Sequence, residues 1–153
     1  MDSTDKKIYR FNGWQNPSVR PVNDAFCEIR DQHHLYDLLE QAWCRKTCAP
    51  RMQQEWCNEN KTRGQCSITA FLVQDIFGGE VYGIPFPDGN FHCYNVIGKV
   101  WFDLTSEQFG SRAEGFVYEN NPVQLREKHF ANKEKEERYQ LLKNRLKKAL
   151  NRN

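Results

Sequence analysis

The sequence has no apolar run long enough to cross a membrane. Its most apolar stretch, residues 68–77, includes Thr69, Gln74 and Asp75, whereas a membrane-spanning helix needs about 20 predominantly apolar residues. Residues 1–7 lead into no apolar segment, so no secretory signal is expected. A soluble protein located in the cytoplasm, with no membrane partner, is therefore the expected class.

The sequence also has no internal repeat, and its 153 residues leave no room for a second catalytic domain. Aromatic residues make up 13% of the chain, enough for a packed core. The cysteines are Cys27, Cys44, Cys48, Cys57, Cys66 and Cys93. Such a number would suit disulfides in a small secreted protein, but a cytoplasmic chain of this size favours reduced thiols.

A zinc site is an alternative use of the cysteines. Cys44, Cys48 and Cys57 would supply three ligands, with Cys66 or His92 as the fourth. Their spacing matches no common zinc motif. We therefore predict no metal and no other cofactor.

Charge is balanced overall but unevenly distributed. The formal net charge is +2, yet residues 126–153 contain ten lysines and arginines against four acids. A basic tail on an acidic body is compatible with an anionic partner such as nucleic acid. It is equally typical of a solvated helix surface, and we favour that second interpretation.

The chain is predicted to consist of an irregular N-terminal extension, residues 1–30, and a single domain, residues 31–153. Asp31 is a candidate N-cap for a helix whose apolar residues recur at helical spacing. These are Leu35, Leu38, Leu39, Ala42 and Trp43. A loop over residues 47–63 then leads to a second helix, residues 67–77, which is apolar on most faces and is therefore expected at the centre of the domain.

The period of the pattern then changes from helical to alternating. Residues 80–84, 91–96 and 99–104 are predicted strands, separated by a proline-rich turn and by a tight turn at Ile97 and Gly98. One or two amphipathic helices follow over residues 122–150. The predicted fold class is α+β, with the central helix on a short antiparallel sheet and helices from both ends of the chain flanking it.

Cys66 is the strongest candidate for a catalytic residue. It stands at the start of the central helix, where the helix dipole and free N–H groups stabilise a thiolate. A symmetric turn at Ile97 and Gly98 places His92 opposite Asp103, with their Cβ atoms about 5 Å apart. A thiolate, an imidazole base and an orienting carboxylate are the parts of a nucleophilic triad.

The same motifs carry a resemblance to known families. Gly64-Gln65-Cys66, His92-Cys93-Tyr94-Asn95 and the segment 101–105 (WFDLT) resemble the Cys, His, Asp series of transglutaminase-like enzymes. Their order is also that of papain-like thiol hydrolases. Over about residues 35–150, the chain resembles more closely the YunG-like family of small bacterial proteins. That resemblance implies a fold rather than a reaction.

The papain-like pattern also implies an oxyanion-hole glutamine six residues before the nucleophile. Asn60 occupies that position here, with a suitable amide donor but a shorter side chain. Gln65 is a competing donor. Tyr94 and Trp101 share the strand face of His92 and are candidates for substrate binding. The spacing of Cys66, His92 and Asp103 is shorter than in large transglutaminases, which leaves little room for substrate-binding loops.

These residues predict an acyl-transfer enzyme that acts on a peptide or a small amide-bearing substrate. Hydrolysis, deamidation and transfer to an amine all remain open, as does the oligomeric state. The alternative is a catalytically silent member of the same fold that serves as a protein-interaction module.

Overall fold

The computed structural model of the protein describes residues 7–152; residues 1–6 of the predicted extension, and residue 153, lie outside the described range. Within that range the helices are α1 (Gln32–Ala42), α2 (Cys66–Phe77), α3 (Arg126–Phe130) and α4 (Lys133–Arg152). The strands are β1 (Glu80–Pro85), β2 (Phe91–Ile97) and β3 (Val100–Phe102). They form one antiparallel sheet in the order β1-β2-β3. The predicted α+β class is confirmed.

Helix α1 begins at the predicted cap. The Asp31 carboxylate accepts a hydrogen bond from the His34 N–H at 2.8 Å, which satisfies a donor that the first helical turn leaves free. Leu35, Leu39 and Ala42 form a fully buried stripe. This stripe gives α1 an apolar face, and α1 packs against α4.

Helix α2 occupies the centre of the fold, as the sequence predicts. It packs against β2 on one side and against α4 on the other. Its buried side chains include Ile68, Phe71, Leu72, Val73 and Ile76. A helix that is apolar nearly all round can be stable only when protein covers it on most sides.

Replacing Phe71 by alanine is expected to destabilise the protein by about 3–5 kcal/mol, because the cavity left in the core adds to the lost transfer free energy. The Phe71 ring is fully buried and lies 5.1 Å from the His129 ring and 5.5 Å from the Phe130 ring, measured between centroids. Urea denaturation followed by circular dichroism measures the change. A loss below about 1 kcal/mol would show that the site collapses around the smaller side chain.

The register of the β2–β3 hairpin differs from the prediction. Val96 pairs with Trp101, and Ile97 with Val100, so the turn is centred one residue later than expected. This register does not place His92 directly opposite Asp103. Each residue of β2 pairs with a residue two positions later in the chain than predicted. Because the side-chain period of a strand is two, this shift keeps the same side chains on each face of the sheet. His92 and Asp103 therefore still share a face.

Strand β3 is also shorter than predicted, because the N-terminal segment takes over its pairing. The Asp103 N–H donates to the Asn12 carbonyl oxygen at 2.9 Å, and the two residues form an antiparallel bridge. Gly13 allows this close approach. Its φ is +87°, and a Cβ atom there would lie 2.8 Å from both the Trp101 carbonyl oxygen and the Phe102 Cα.

Candidate active site

Cys66 is the first residue of α2 and is half-buried. Its Sγ lies 3.8 Å from the Phe91 carbonyl oxygen on β2. No side chain in the described part of the chain caps the N-terminus of α2, so the first N–H groups and the positive end of the helix dipole lie beside the thiol. Both stabilise negative charge at this position.

His92 and Asp103 form a buried pair. Their exposed fractions are 1% and 0%, and His92 Nε2 lies 2.7 Å from Asp103 Oδ2. The other ring nitrogen, Nδ1, is buried without a hydrogen-bond partner of ordinary geometry among residues 7–152. Nδ1 is therefore the ring atom that is free to exchange a proton with a group in the cleft.

Two residues that the sequence analysis did not identify hold the carboxylate of this pair. The Tyr118 hydroxyl donates to Asp103 Oδ2 at 2.6 Å and accepts a hydrogen bond from Asn12 Nδ2 at 2.8 Å. The Asn12 amide also donates to the Ala113 carbonyl oxygen at 3.0 Å. The N-terminal segment therefore contributes directly to the position of Asp103.

The surroundings favour a charged pair at Cys66 and His92. Burial disfavours the charged ring, but the charge and hydrogen bond of Asp103 outweigh it and, with the contribution of Cys66, raise the pKa of His92 to about 10. The Cys93 thiol, followed by the proton and charge of His92, holds the pKa of Cys66 well below its usual range against the effect of burial. A thiolate beside an imidazolium is the form expected at neutral pH.

Cys93 remains protonated in this arrangement. Its hydrogen bond to Cys66, and then its burial, raise the pKa of the Cys93 thiol well above the usual range. The side chain is buried on β2. Cys93 therefore acts as a hydrogen-bond donor to Cys66 rather than as a second nucleophile.

Cys66 and His92 open into a cleft of about 700 Å³. Phe86, Phe91 and Phe109 contribute aromatic surface to its walls. The Phe109 ring meets the His92 ring edge to face, with centroids 4.8 Å apart. A cleft of this volume, with aromatic side chains beside polar and charged ones, suits a small molecule or a short peptide segment.

Two of the predicted oxyanion or substrate-binding residues lie away from this cleft. The Gln65 side chain is fully buried and donates to the Cys44 carbonyl oxygen at 3.1 Å, so it does not reach the reacting centre. The Asn60 amide donates to the Gln108 carbonyl oxygen at 3.4 Å. Asn60 therefore braces the loop before α2, and it is Gln108 that lines the cleft.

The two aromatic candidates are displaced in a similar way. Tyr94 is buried, and its hydroxyl accepts a hydrogen bond from Asn121 at 2.9 Å. Trp101 stacks on Tyr118 with centroids 4.3 Å apart and lines a second cavity of about 810 Å³. Tyr118 lies between Trp101 and the His92–Asp103 pair. Trp101 therefore supports the pair through Tyr118 and does not form a wall of the cleft.

Two further expectations concern a metal site and membrane-spanning helices. In residues 7–152, no three His, Cys, Asp or Glu side chains are grouped so that they could hold a metal ion. The alternative zinc site is therefore not formed by these side chains. Over the same range, no helix is both long and apolar enough to span a membrane.

Comparison with known proteins assigns the chain to a family. The family model described as "YunG protein" matches residues 31–151. "Uncharacterized protein YunG" from Bacillus subtilis (strain 168) is 35% identical over 118 residues, which cover 77% of this chain and 93% of that relative. No solved structure matches the chain. On the family match and this identity, the chain belongs to the YunG family.

Proposed function

We propose that the protein is a thiol-dependent acyl-transfer enzyme with a papain/transglutaminase-like core. The observation that carries this proposal is the placement of Cys66 at the uncapped N-terminus of α2, facing a cleft that it shares with His92. The 2.7 Å contact with Asp103 supports it, because that contact fixes the His92 ring and leaves Nδ1 free. The substrate is a peptide or a small molecule with an amide or ester bond.

The reaction begins when the Cys66 thiolate attacks the carbonyl carbon of the substrate. A C–S bond forms and the carbonyl oxygen becomes an oxyanion, which the free N–H groups at the start of α2 stabilise. His92 then gives its Nδ1 proton to the leaving nitrogen or oxygen. The bond from carbon to the leaving group breaks, and a thioester at Cys66 remains.

In the second half of the reaction, neutral His92 removes a proton from water or from an acceptor amine. The attack of that nucleophile on the thioester breaks the C–S bond and regenerates the Cys66 thiolate and the His92 imidazolium. Water gives a carboxylic acid, and an amine gives a new amide. Asp103 is the positioning residue for His92 throughout the cycle.

Alkylation by iodoacetamide tests this proposal. At about pH 6, Cys66 is expected to react at least about 30-fold faster than an ordinary exposed thiol, because it remains a thiolate where an ordinary thiol is protonated. Cys27 and Cys57 are exposed and free, so they serve as internal controls. Peptide mapping by mass spectrometry gives each rate, and Cys66→Ala must remove the fast reaction.

The pH dependence follows from the same pair. Because the pKa of Cys66 is lowered, its thiolate and its reactivity persist as the pH falls, and they are lost only on passing below that lowered pKa. The imidazolium is lost as the pH rises through about 10. Alkylation, which needs only the thiolate, is therefore expected to stay on a plateau above the lowered pKa of Cys66, whereas acyl transfer, which also needs the imidazolium, should fall as the pH rises through about 10. A rate at Cys66 no faster than at Cys57 would instead favour a catalytically silent interaction module.

A further inference from the structure

Three hydrogen-bonded side chains run from Gln124 to Lys135, and two of them, His129 and Lys135, line the wall of the cleft that α3 and α4 form. Gln124 Oε1 lies 2.9 Å from His129 Nε2, and His129 Nδ1 lies 3.0 Å from Lys135 Nζ. When Nε2 donates to Gln124, Nδ1 is the acceptor for one ammonium proton of Lys135. Two ammonium protons remain for another acceptor.

His129 orients Lys135 without competing with it for charge. Burial, followed by the charge of Lys135, lowers the pKa of His129 to about 4, so the ring is neutral at physiological pH. Burial also lowers the pKa of Lys135, while the negative charge of the neighbouring Cys93–Cys66 thiol pair opposes that change. The Lys135 amine therefore lies within electrostatic reach of the nucleophile.

The cleft has more unpaired positive than negative charge. Glu134 is neutralised by Arg138, whose Nε lies 2.7 Å from its carboxylate, and Asp88 accepts hydrogen bonds within its own turn. In the described part of the chain, neither Lys135 nor Arg112 forms an ion pair with a carboxylate. Both line the cleft.

Arg112 is placed by aromatic contacts instead. Its guanidinium carbon lies 5.0 Å from the Phe86 ring centroid and 5.7 Å from that of Phe109. Phe109 in turn contacts the His92 ring. The planar, five-donor head of Arg112 is therefore held at the edge of the cleft beside the reacting centre.

We propose that Lys135 and Arg112 bind a carboxylate of the substrate, so that the enzyme acts on amides or esters that carry a second, anionic carboxyl group. This inference rests on the proposed function of Cys66. A guanidinium and an oriented ammonium are matched to a carboxylate by charge and by donor geometry. A neutral substrate would leave both cations without a partner.

Two reagents of similar shape test the inference. Iodoacetate and iodoacetamide alkylate the same thiol, but only iodoacetate carries a carboxylate. The measured quantity is the ratio of their rates at Cys66. A change in the pKa of Cys66 affects both rates equally, so the ratio isolates the recognition of charge.

Lys135→Met is expected to lower the ratio of iodoacetate to iodoacetamide rates about fivefold, and Arg112→Gln about threefold, as expected for the loss of one nearby charge. Lys148→Gln is the matched control, because Lys148 is an exposed lysine further along α4. Its ratio should match that of the parent protein. An unchanged ratio in both cleft variants would overturn the carboxylate site.

A binding measurement that does not use the thiol separates this inference from the proposed function. Cys66→Ser protein is titrated with glutarate and followed by amide NMR. We expect shifts at the start of α2 and at Lys135, and their loss when Lys135→Met is added. Glutaramide, the neutral diamide, should give no such shifts. If glutarate gives none either, the carboxylate site is wrong whatever the reactivity of Cys66; slow alkylation with normal glutarate binding would overturn only the proposed reaction.

Discussion

Replacing His92 with glutamine is expected to slow the alkylation of Cys66 at about pH 6 by about a hundredfold. Without the imidazolium, the pKa of Cys66 returns toward that of an ordinary thiol, and about 1% or less of it is thiolate at that pH. The Cys93 hydrogen bond remains, so part of the stabilisation of the thiolate survives.

Glutamine is preferred to alanine because His92 is buried against Asp103. An amide N–H can still donate to the carboxylate, whereas His92→Ala leaves a buried charge unpaired and costs about 3–5 kcal/mol of stability. Circular dichroism checks the fold of both variants. His34→Gln, on α1, is the control and should alkylate like the parent. If His92→Gln reacts within about twofold of the parent rate, the ring does not activate the thiol.

Changing Asp103 to asparagine is expected to slow the same reaction by about tenfold, because His92 loses the charge that outweighs its burial. The pKa of His92 then falls from about 10 toward or below its ordinary value. The imidazolium is then lost at lower pH, and without it the pKa of Cys66 rises, so less thiolate is present at about pH 6. Asp103→Ala should be slower still, because it also removes the hydrogen bond that orients the ring.

The measurement is the pH profile of alkylation, which a purely structural role of Asp103 would not move. In the parent protein, the imidazolium persists until the pH rises through about 10 and helps to keep Cys66 a thiolate at low pH. In Asp103→Asn the imidazolium is lost at lower pH, so the onset of alkylation should shift to higher pH. Tyr118→Phe is a matched control, since it removes the other hydrogen bond to Oδ2 but keeps the carboxylate. A profile that is identical in Asp103→Asn and the parent would reject the proposed pairing.

The parts of this fold that follow local patterns were predictable from the sequence. The apolar stripe that begins at Leu35 and the mostly apolar run of α2 each predict which side chains are buried, because a helix has a fixed period. The prediction that His92 and Asp103 share a face of the sheet was correct, although the predicted register was wrong. A shift of two residues moves a side chain along a strand but not through the sheet.

The parts that depend on distant or irregular segments were not predictable. Asn12 and Tyr118 lie in stretches without a period, and nothing local indicates that they meet at Asp103. Asn60 has the residue type expected of an oxyanion donor, but the path of its loop directs the amide to Gln108. The pairing of Lys135 with His129 depends on how α3 and α4 pack over the cleft, which spacing alone does not determine.

The contacts of Asn12 also impose an order of events during synthesis. Asn12 bonds to Ser106, which is 94 residues later in the chain, and to Tyr118, which is 106 residues later. Ribosomes add about 5–20 residues per second, so several seconds pass between the synthesis of Asn12 and that of these two partners. Until then Asn12 lacks these two partners, and the carboxylate of Asp103 cannot reach its final position before Tyr118 has been made.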